Sequence, residues 1–259
     1  MSFATTDDQQ EIYYEVHGTG PQTLVFVSGY FGVTHIWQNL IRQLSTQYRC
    51  IAYDSRGFGR SSKPPGAESY SVPRHAADLH TVLNACQATT DPSVLVTHSM
   101  GGNIGAAFYL AHPELVSGIV YSGTYVDGPH IQQRLTYEML TSGVKSPSQC
   151  VDFYTAMGLD STTALEAAKW PAHSRRHNGA ALLAFDIGDR YASIKVPGLI
   201  VQGELDQATP PDISAQSIAE QMPRCHLEVL KGVRHFPPTE ASLKMGKLVE
   251  DFVRDIPLA

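Results

Sequence analysis

Short apolar runs alternate along the chain with helix-like segments. Several of the runs, such as residues 24–27 and 118–121, show no polar alternation. Strands of this kind are typical of a mostly parallel sheet that is covered on both faces. The pattern predicts strands at 12–17, 24–27, 49–53, 93–98, 118–121, 199–202 and 226–230.

Helices are predicted between these strands, at 34–47, 73–88, 100–111, 211–221 and 240–255. A regular alternation of strand and helix gives an α/β fold, here a mostly parallel, doubly wound sheet with helices on both faces. In such a sheet the active groups gather beyond the carboxyl ends of the strands. We therefore look for chemistry at the points where strands end.

Residues 124–186 interrupt the alternation because no strand-like run occurs there. Short helices are predicted instead, at 131–141, 147–157, 162–170 and 175–185. The segment is too long for a simple crossover, so we interpret it as an inserted helical lid on a core of residues 1–123 and 187–259. We expect most of its large side chains to pack within the lid: Tyr137, Met139, Phe153, Tyr154, Met157, Trp170 and Phe185.

The composition fits a soluble globular protein of 259 residues, with 42% hydrophobic and 17% charged residues. A net charge of −6 argues against nucleic acid or an anionic membrane surface as a partner. No apolar run could span a bilayer, and the first residues lack the features of a secretory leader. We expect a cytoplasmic protein that acts on a small molecule, and we leave a homodimer open.

Cysteine and histidine spacing gives no sign of a metal site. Cys50, Cys86, Cys150 and Cys225 are scattered without a CxxC pair, as expected of reduced thiols. His173 and His177 have ligand-like spacing but no third ligand nearby. We expect neither a metal nor another cofactor.

Ser99 stands where an apolar strand runs straight into a helix-like segment. A serine at such a turn adopts a strained backbone, which holds its hydroxyl above the sheet edge and points the next amides at whatever it attacks. The alternative is an ordinary serine that caps the helix. The local pattern alone leaves both interpretations open.

Five separated segments resemble the α/β-hydrolase family, in its lid-bearing serine hydrolase branch, over nearly the whole chain. Residues 27–32 with Trp37 look like the family's oxyanion turn, and residues 53–62 are similar to its D-x-R-G-x-G-x-S loop. The other three segments are residues 97–102, 196–206 and 232–237. They occur in the family's order, so the resemblance implies both the fold and a hydrolase.

The resemblance also implies a catalytic triad. Ser99 would be the nucleophile, His235 the general base and acid, and Asp206 the acid that orients His235. Some relatives carry the acid one strand earlier, where this chain has Ser122 and, several residues on, Asp127. We therefore favour Asp206.

The same resemblance implies an oxyanion hole formed by the backbone amides of Tyr30 and Met100. Aromatic residues near these motifs and in the lid suit an apolar acyl or ring substrate. The predicted pocket residues are Tyr30, Phe31, Tyr125, Tyr137, Phe153, Trp170 and Phe236.

Two positions depart from the family pattern. Thr97 replaces the customary glycine two residues before the nucleophile, so a branched side chain must fit a crowded turn. Ser28 replaces the customary histidine before Gly29, which leaves the turn more mobile or gives Ser28 a different partner. His98, beside the nucleophile, is expected to be structural.

The leading hypothesis is a serine hydrolase that cleaves a small, largely apolar ester or lactone through an acyl-enzyme. Epoxide or haloalkane opening would call for an aspartate at position 99. Three alternatives use the same residues: hydrolysis of a C–C bond in a β-diketone, cofactor-free dioxygenation or perhydrolysis, and a ligand receptor with slow turnover. A dioxygenase is disfavoured by the absence of a carboxylate at Ser122.

Overall fold

The computed structural model describes residues 2–256, which form an α/β fold around one eight-stranded sheet. With the strands numbered along the chain, their order in the sheet is β1-β2-β4-β3-β5-β6-β7-β8. The pairs β1–β2 and β2–β4 are antiparallel, and all other neighbouring pairs are parallel. The strands are β1 (Ser2–Thr5), β2 (Glu11–His17), β3 (Thr23–Val27), β4 (Arg49–Tyr53), β5 (Ser93–Thr97), β6 (Val116–Ser122), β7 (Gly198–Gly203) and β8 (Cys225–Leu230).

The predicted fold class is confirmed, and each predicted strand is present within one or two residues at its ends. Strand β1 was not predicted, because Ala4 is its only buried residue and no apolar run marks it. Met1 and residues 257–259 of the predicted core lie outside the described residues.

Eleven α-helices are present in residues 2–256. They are α1 (Gln38–Leu44), α2 (Val72–Ala85), α3 (Met100–Ala111), α4 (Gly128–Ile131), α5 (Tyr137–Thr141), α6 (Pro147–Ala156), α7 (Ser161–Ala168), α8 (Ala172–Ala184), α9 (Gln216–Gln221), α10 (Pro237–Glu240) and α11 (Ser242–Arg254). Short 3₁₀ turns occur at Thr34–Trp37, Ala67–Ser69, Pro113–Leu115 and Arg190–Ser193, and a π-helical turn at Pro211–Ala215.

Three predicted core helices are divided in the structure. The helix expected at 34–47 begins with the 3₁₀ turn, and the helix expected at 211–221 begins with the π-helical turn. The helix expected at 240–255 is split at Ala241, whose φ of −139° and ψ of 40° are not helical. A helical pattern of apolar residues continues through such breaks, so it cannot reveal them.

The strand order reverses between β3 and β5, which are neighbours at the centre of the sheet. The chain leaves β3 for β4 on one side and then crosses to β5 on the other, so right-handed connections put α1 and α2 on opposite faces. Val27 pairs with Thr97 at the carboxyl ends of these two strands. The crevice beyond them is where open α/β sheets bind ligands, and both Ser28–Tyr30 and His98–Met100 lie there.

The five helices α4–α8 lie between β6 and β7, within the segment interpreted as a lid. Helix α8 packs against α4 and α5, while α6 packs against α7. Asn178 of α8 joins this layer to the core, since its Oδ1 lies 2.7 Å from Nε2 of the buried His75 in α2. The division into a core of 1–123 and 187–259 and a lid of 124–186 stays our proposal.

A buried ion pair fixes the loop that follows β4. Arg56 has no exposed surface, and its guanidinium binds Asp78 of α2 at 2.9 and 2.7 Å and also contacts Asp8. The same loop supports the turn after β3, because the Ser55 amide donates to the carbonyl of Gly32 at 2.6 Å. The ion pairs of Arg56 therefore fix the loop that binds the turn after β3.

Replacing Asp78 by alanine is expected to lower the free energy of unfolding by about 3–5 kcal/mol, because it removes a buried partner of a buried guanidinium. Urea unfolding measures the change. Asp251→Ala, which breaks an exposed pair with Lys247, is the matched control and should cost less than about 1 kcal/mol. Equal losses in the two variants would contradict the role given to the buried pair.

Candidate active site

Ser99 adopts a left-handed backbone, with φ of 53° and ψ of −125°, between β5 and α3. Its side chain does not cap the helix, which distinguishes this turn from an ordinary helix start. The turn is held from both neighbouring strands: the Ser99 amide donates to Ser122 of β6 at 2.8 Å, and the His98 amide donates to Val27 of β3 at 3.0 Å. The structure therefore has the strained strand-to-helix turn that the sequence pattern predicts.

Thr97 fits into this turn because the helix opposite it has a glycine. A Cβ atom on Gly105 of α3 would lie 3.1 Å from the Thr97 methyl carbon, so a larger residue there would crowd the threonine. The Thr97 hydroxyl donates to the carbonyl of Val120 at 2.9 Å. The branched side chain that departs from the family pattern is thus packed and hydrogen-bonded.

The Ser28 side chain makes two hydrogen bonds. Its hydroxyl accepts a hydrogen bond from the indole nitrogen of Trp37 at 2.8 Å and donates to the carbonyl of Val33 at 3.3 Å. These two bonds brace the turn that carries Tyr30, although no histidine is present. The expectation of a more mobile turn therefore finds no support in these contacts.

The backbone amides of Tyr30 and Met100, predicted as oxyanion donors, have no acceptor within residues 2–256. The two segments lie against each other, since a Cβ atom on Gly29 would be 2.8 Å from Ser99 Cβ and 3.2 Å from the Met100 nitrogen. Unpaired amides beside a candidate nucleophile are the groups that stabilise an oxyanion.

His235 and Asp206 form a buried pair, with Nδ1 of the imidazole 2.8 Å from Oδ2 of the carboxylate. A carboxylate only accepts, so Nδ1 must carry the hydrogen and Nε2 is left able to take a proton. His235 and Ser99 line the same pocket, although no hydrogen bond joins them among the described residues. Catalytic hydrogen bonds of this type often form only with substrate.

Asp206 is ionised in spite of its burial. Burial raises the pKa of this carboxyl, but the charge of His235 and hydrogen bonds from His235 and Thr209 outweigh it, so the pKa lies below its usual value. Oδ1 accepts from the amides of Ala208 and Thr209, both at 3.0 Å, in a turn of its own rather than at the start of a helix. Asp127, the alternative acid, instead caps α4 by accepting from the His130 amide.

His98 contacts the loop that carries His235. Its Nε2 donates to the carbonyl of His235 at 2.9 Å, and its ring stacks on Phe236 with centroids 4.8 Å apart. The His235 amide donates in turn to the carbonyl of Met157 at 3.1 Å. The peptide of His235 is therefore held on one side by the core and on the other by the lid segment.

The pocket that contains Ser99 and His235 has an empty volume of about 330 Å³, its open mouth included. Four of the predicted residues line it: Tyr30, Phe31, Tyr125 and Phe153. The sequence reading missed the aliphatic residues Ile131, Leu135, Leu140, Met157 and Leu182, together with Ala208 and Thr209. Ile131 and Leu135 are four residues apart, a spacing that predicts a shared helical face, although α4 ends at Ile131.

Three predicted pocket residues need correction. Tyr137 is 38% exposed on the outer side of the lid, and the Lys63 ammonium lies 4.8 Å from the centre of the Trp170 ring, on a different surface. Phe236 is fully buried behind the pocket wall, where it stacks on Phe31 and His98. None of the three is among the residues that line the pocket of Ser99 and His235.

In the described part of the chain, no cluster of histidine, cysteine, aspartate and glutamate could hold a metal ion. No helix between residues 2 and 256 has the length and apolar character needed to cross a membrane.

Comparisons with known proteins agree with this fold. A family model described as the alpha/beta hydrolase fold matches residues 22–138. A relative from Caulobacter segnis, named "Putative carbamate hydrolase RutD", is 30% identical over 245 residues, which cover 86% of this chain and 89% of the relative. The chain belongs to the α/β-hydrolase family. It is a hydrolase of that family.

Solved structures with lower sequence identity share the fold. The bromoperoxidase from Bacillus anthracis superimposes with a TM-score of 0.87 at 24% identity, covering 98% of this chain and 99% of its own. The enol-lactonase from Burkholderia xenovorans LB400 gives 0.82 at 19% identity, covering 98% and 100%. At these identities the likeness extends to the architecture alone.

Replacing His98 by glutamine should flatten the dependence of stability on pH. Burial lowers the pKa of His98 to about 3, whereas an unfolded histidine titrates near 6.5. Between these values the unfolded chain binds a proton that the folded chain does not, so stability is complete above pH 6.5 and falls as the pH is lowered, by up to about 1.4 kcal/mol per pH unit.

Urea unfolding at pH 6.5, 5.5 and 4.5 measures this slope in the wild type and in His98→Gln, which keeps a donor for the His235 carbonyl but cannot titrate. The wild type should lose more stability than the variant. Identical slopes would contradict a neutral, buried His98.

Proposed function

We propose that the protein hydrolyses a small, largely apolar ester or lactone through an acyl-enzyme on Ser99. The observation that carries the proposal is the Asp206–His235 hydrogen bond of 2.8 Å at a pocket that Ser99 also lines from a left-handed turn. A polarised imidazole beside a protruding hydroxyl is the arrangement that activates serine for acyl transfer.

In the first step the Ser99 oxygen attacks the carbonyl carbon and its proton passes to Nε2 of His235. The carbonyl oxygen becomes an oxyanion, which the amides of Tyr30 and Met100 would stabilise. His235 then gives its proton to the leaving alkoxide as the C–O bond breaks. With a lactone, the alcohol formed in this way stays attached to the acyl chain.

In the second step a water molecule attacks the acyl carbonyl and passes a proton to His235. The ester bond to Ser99 breaks, the serine oxygen takes that proton back, and a carboxylic acid leaves. Asp206 keeps the imidazole oriented throughout and stabilises its protonated form, without itself taking up a proton.

The lining of the pocket favours an uncharged substrate. No aspartate, glutamate, lysine or arginine is among its lining residues, and most of them are aliphatic or aromatic. The space between these side chains is narrow, since the empty volume of about 330 Å³ already includes the open mouth of the pocket. Both features support a compact acyl group or a small ring.

A carbamate is the second candidate, because the relative from Caulobacter segnis is named as a carbamate hydrolase. The carbonyl of a carbamate can be attacked by the same serine, and the same imidazole can protonate the leaving group. The chemistry assigned to Ser99, His235 and Asp206 is unchanged in that case. Only the acyl group differs.

We also propose that the enzyme works in the cytoplasm, which the four unpaired cysteines support. A homodimer stays open.

Ser99→Ala should lower the turnover of p-nitrophenyl acetate by about 10⁴-fold or more, because the nucleophile is lost. A serine-directed fluorophosphonate should add one phosphonyl group to the wild type and none to the variant, as read by intact mass. Ser148→Ala, on the exposed surface of α6, is the matched control and should behave as the wild type. A parallel assay with p-nitrophenyl N-methylcarbamate distinguishes the two candidate acyl groups.

Turnover that survives in the folded Ser99→Ala variant would overturn the acyl-enzyme. It would point instead to a hydrolysis centred on His235, in which the serine only binds the substrate.

Gly29→Ala tests the oxyanion turn through its geometry. The added Cβ atom would lie 2.7 Å from the His98 carbonyl oxygen and 2.8 Å from Ser99 Cβ, so the Tyr30 amide must move away from the nucleophile. We expect kcat for p-nitrophenyl acetate to fall about 10²- to 10³-fold, as when one oxyanion donor is removed. The thermal unfolding midpoint serves as the control for folding, and an unchanged kcat would exclude Tyr30 as a donor.

A further inference from the structure

Gln202, near the end of β7, has a fully buried side chain that makes four hydrogen bonds. Its Oε1 accepts from the backbone amide of Thr124 at 3.0 Å. Its Nε2 lies 2.9 Å from Oδ2 of Asp206, 2.6 Å from the carbonyl of Thr209 and 2.9 Å from the hydroxyl of Thr209. The side chain thus bridges the candidate acid and the first residue of the lid segment.

The contact with Thr124 fixes which way the amide of Gln202 points. A backbone N–H can only donate, so the oxygen of the glutamine must face Thr124 and the nitrogen must face Asp206. With the amide flipped, its nitrogen would face the Thr124 amide, so that two donors meet. Its oxygen would then face Asp206 and the carbonyl of Thr209, which only accept. The carbonyl of Thr209 and the carboxylate of Asp206 only accept, so they require the same orientation, and a donor is presented to the carboxylate.

The carboxylate of Asp206 is surrounded by donors on both oxygens. Oδ2 accepts from Gln202, from the Thr209 hydroxyl at 2.6 Å and from His235 at 2.8 Å. Oδ1 accepts from two backbone amides of the following turn. Since the donors come from several directions, the plane of the carboxylate is fixed, and so is the direction in which it holds the imidazole.

We propose that Gln202 is a positioning residue of the reaction, which orients Asp206 and links it to the start of the lid segment at Thr124. The inference rests on the proposed function, because it concerns the acid of the proposed triad. Gln202 does not line the pocket, so its removal should change the rate of the chemical step and leave substrate binding nearly unaffected.

Gln202→Met keeps the size of the side chain and removes its hydrogen bonds. We expect kcat for p-nitrophenyl acetate and the rate of labelling by a fluorophosphonate to fall about 10- to 100-fold, the loss typical of a hydrogen bond to a charged group. KM should stay within about twofold. Gln216→Met, the same substitution on the exposed side of α9, should match the wild type.

Gln202→Glu separates positioning of Asp206 from anchoring of the lid segment. Glutamate keeps an acceptor for the Thr124 amide but presents a carboxylate oxygen to Asp206 in place of a donor. If Gln202 positions Asp206, this variant is impaired at least as much as Gln202→Met. A Gln202→Glu variant that turns over p-nitrophenyl acetate as fast as the wild type would overturn the proposal.

A double-mutant cycle gives a second reading that a purely structural role would not produce. In an Asp206→Ala background, Gln202→Met should slow the remaining fluorophosphonate labelling by no more than about twofold, because the group it positions is gone. A full additional loss in that background would overturn the proposal. Should Gln202→Met unfold, Thr209→Val removes a neighbouring donor to the same carboxylate and replaces it in the cycle.

The results also separate this inference from the proposed function. If wild-type Ser99 is not labelled, the acyl-enzyme and the inference fail together. If Ser99→Ala and Asp206→Ala abolish turnover while Gln202→Met and Thr209→Val match the wild type, the triad stands and only the role of Gln202 is refuted.

Discussion

The structure depends on holding one non-glycine residue in a left-handed backbone. A φ of 53° at Ser99 costs on the order of 1–3 kcal/mol and persists only where the surroundings fix it. Here the amides of His98 and Ser99 are bound by strands on both sides of β5, so the turn is correct only if three neighbouring strands are in register. The turn that carries Tyr30 and the loop that carries His235 both lie beside Ser99.

The elements that could be predicted from the sequence are those that a local pattern of neighbouring residues marks. The strand before Ser99, the helix after it and the loop around His235 form local patterns, and the structure has them at the expected positions. Gln202 and Thr209 carried no such pattern. Their contacts with Asp206 depend on how the turn after β7 folds, and the partner Thr124 belongs to a different strand end.

The lid residues that line the pocket could not be predicted from residue type. Residue type suggested that aromatic side chains would meet the ligand, yet the orientation of a short helix decides which of its faces turns inward. Tyr137 and Trp170 face away, while Leu140 and Leu182 face the pocket. The departures at Thr97 and Ser28 were visible in the sequence, but their compensation was not, because Gly105 and Trp37 meet them only in the folded chain.

The hydrogen bonds between the lid segment and Tyr30, His235 and Gln202 have one property in common. The Tyr30 hydroxyl lies within hydrogen-bond distance of the carbonyls of Leu140 and Arg175, the His235 amide binds the carbonyl of Met157, and Gln202 binds the amide of Thr124. Every one of these groups on the lid side belongs to the main chain. Substitutions in the lid can therefore reshape the pocket while leaving the catalytic framework bonded as before, so substrate preference can diverge in evolution at little cost to the chemistry.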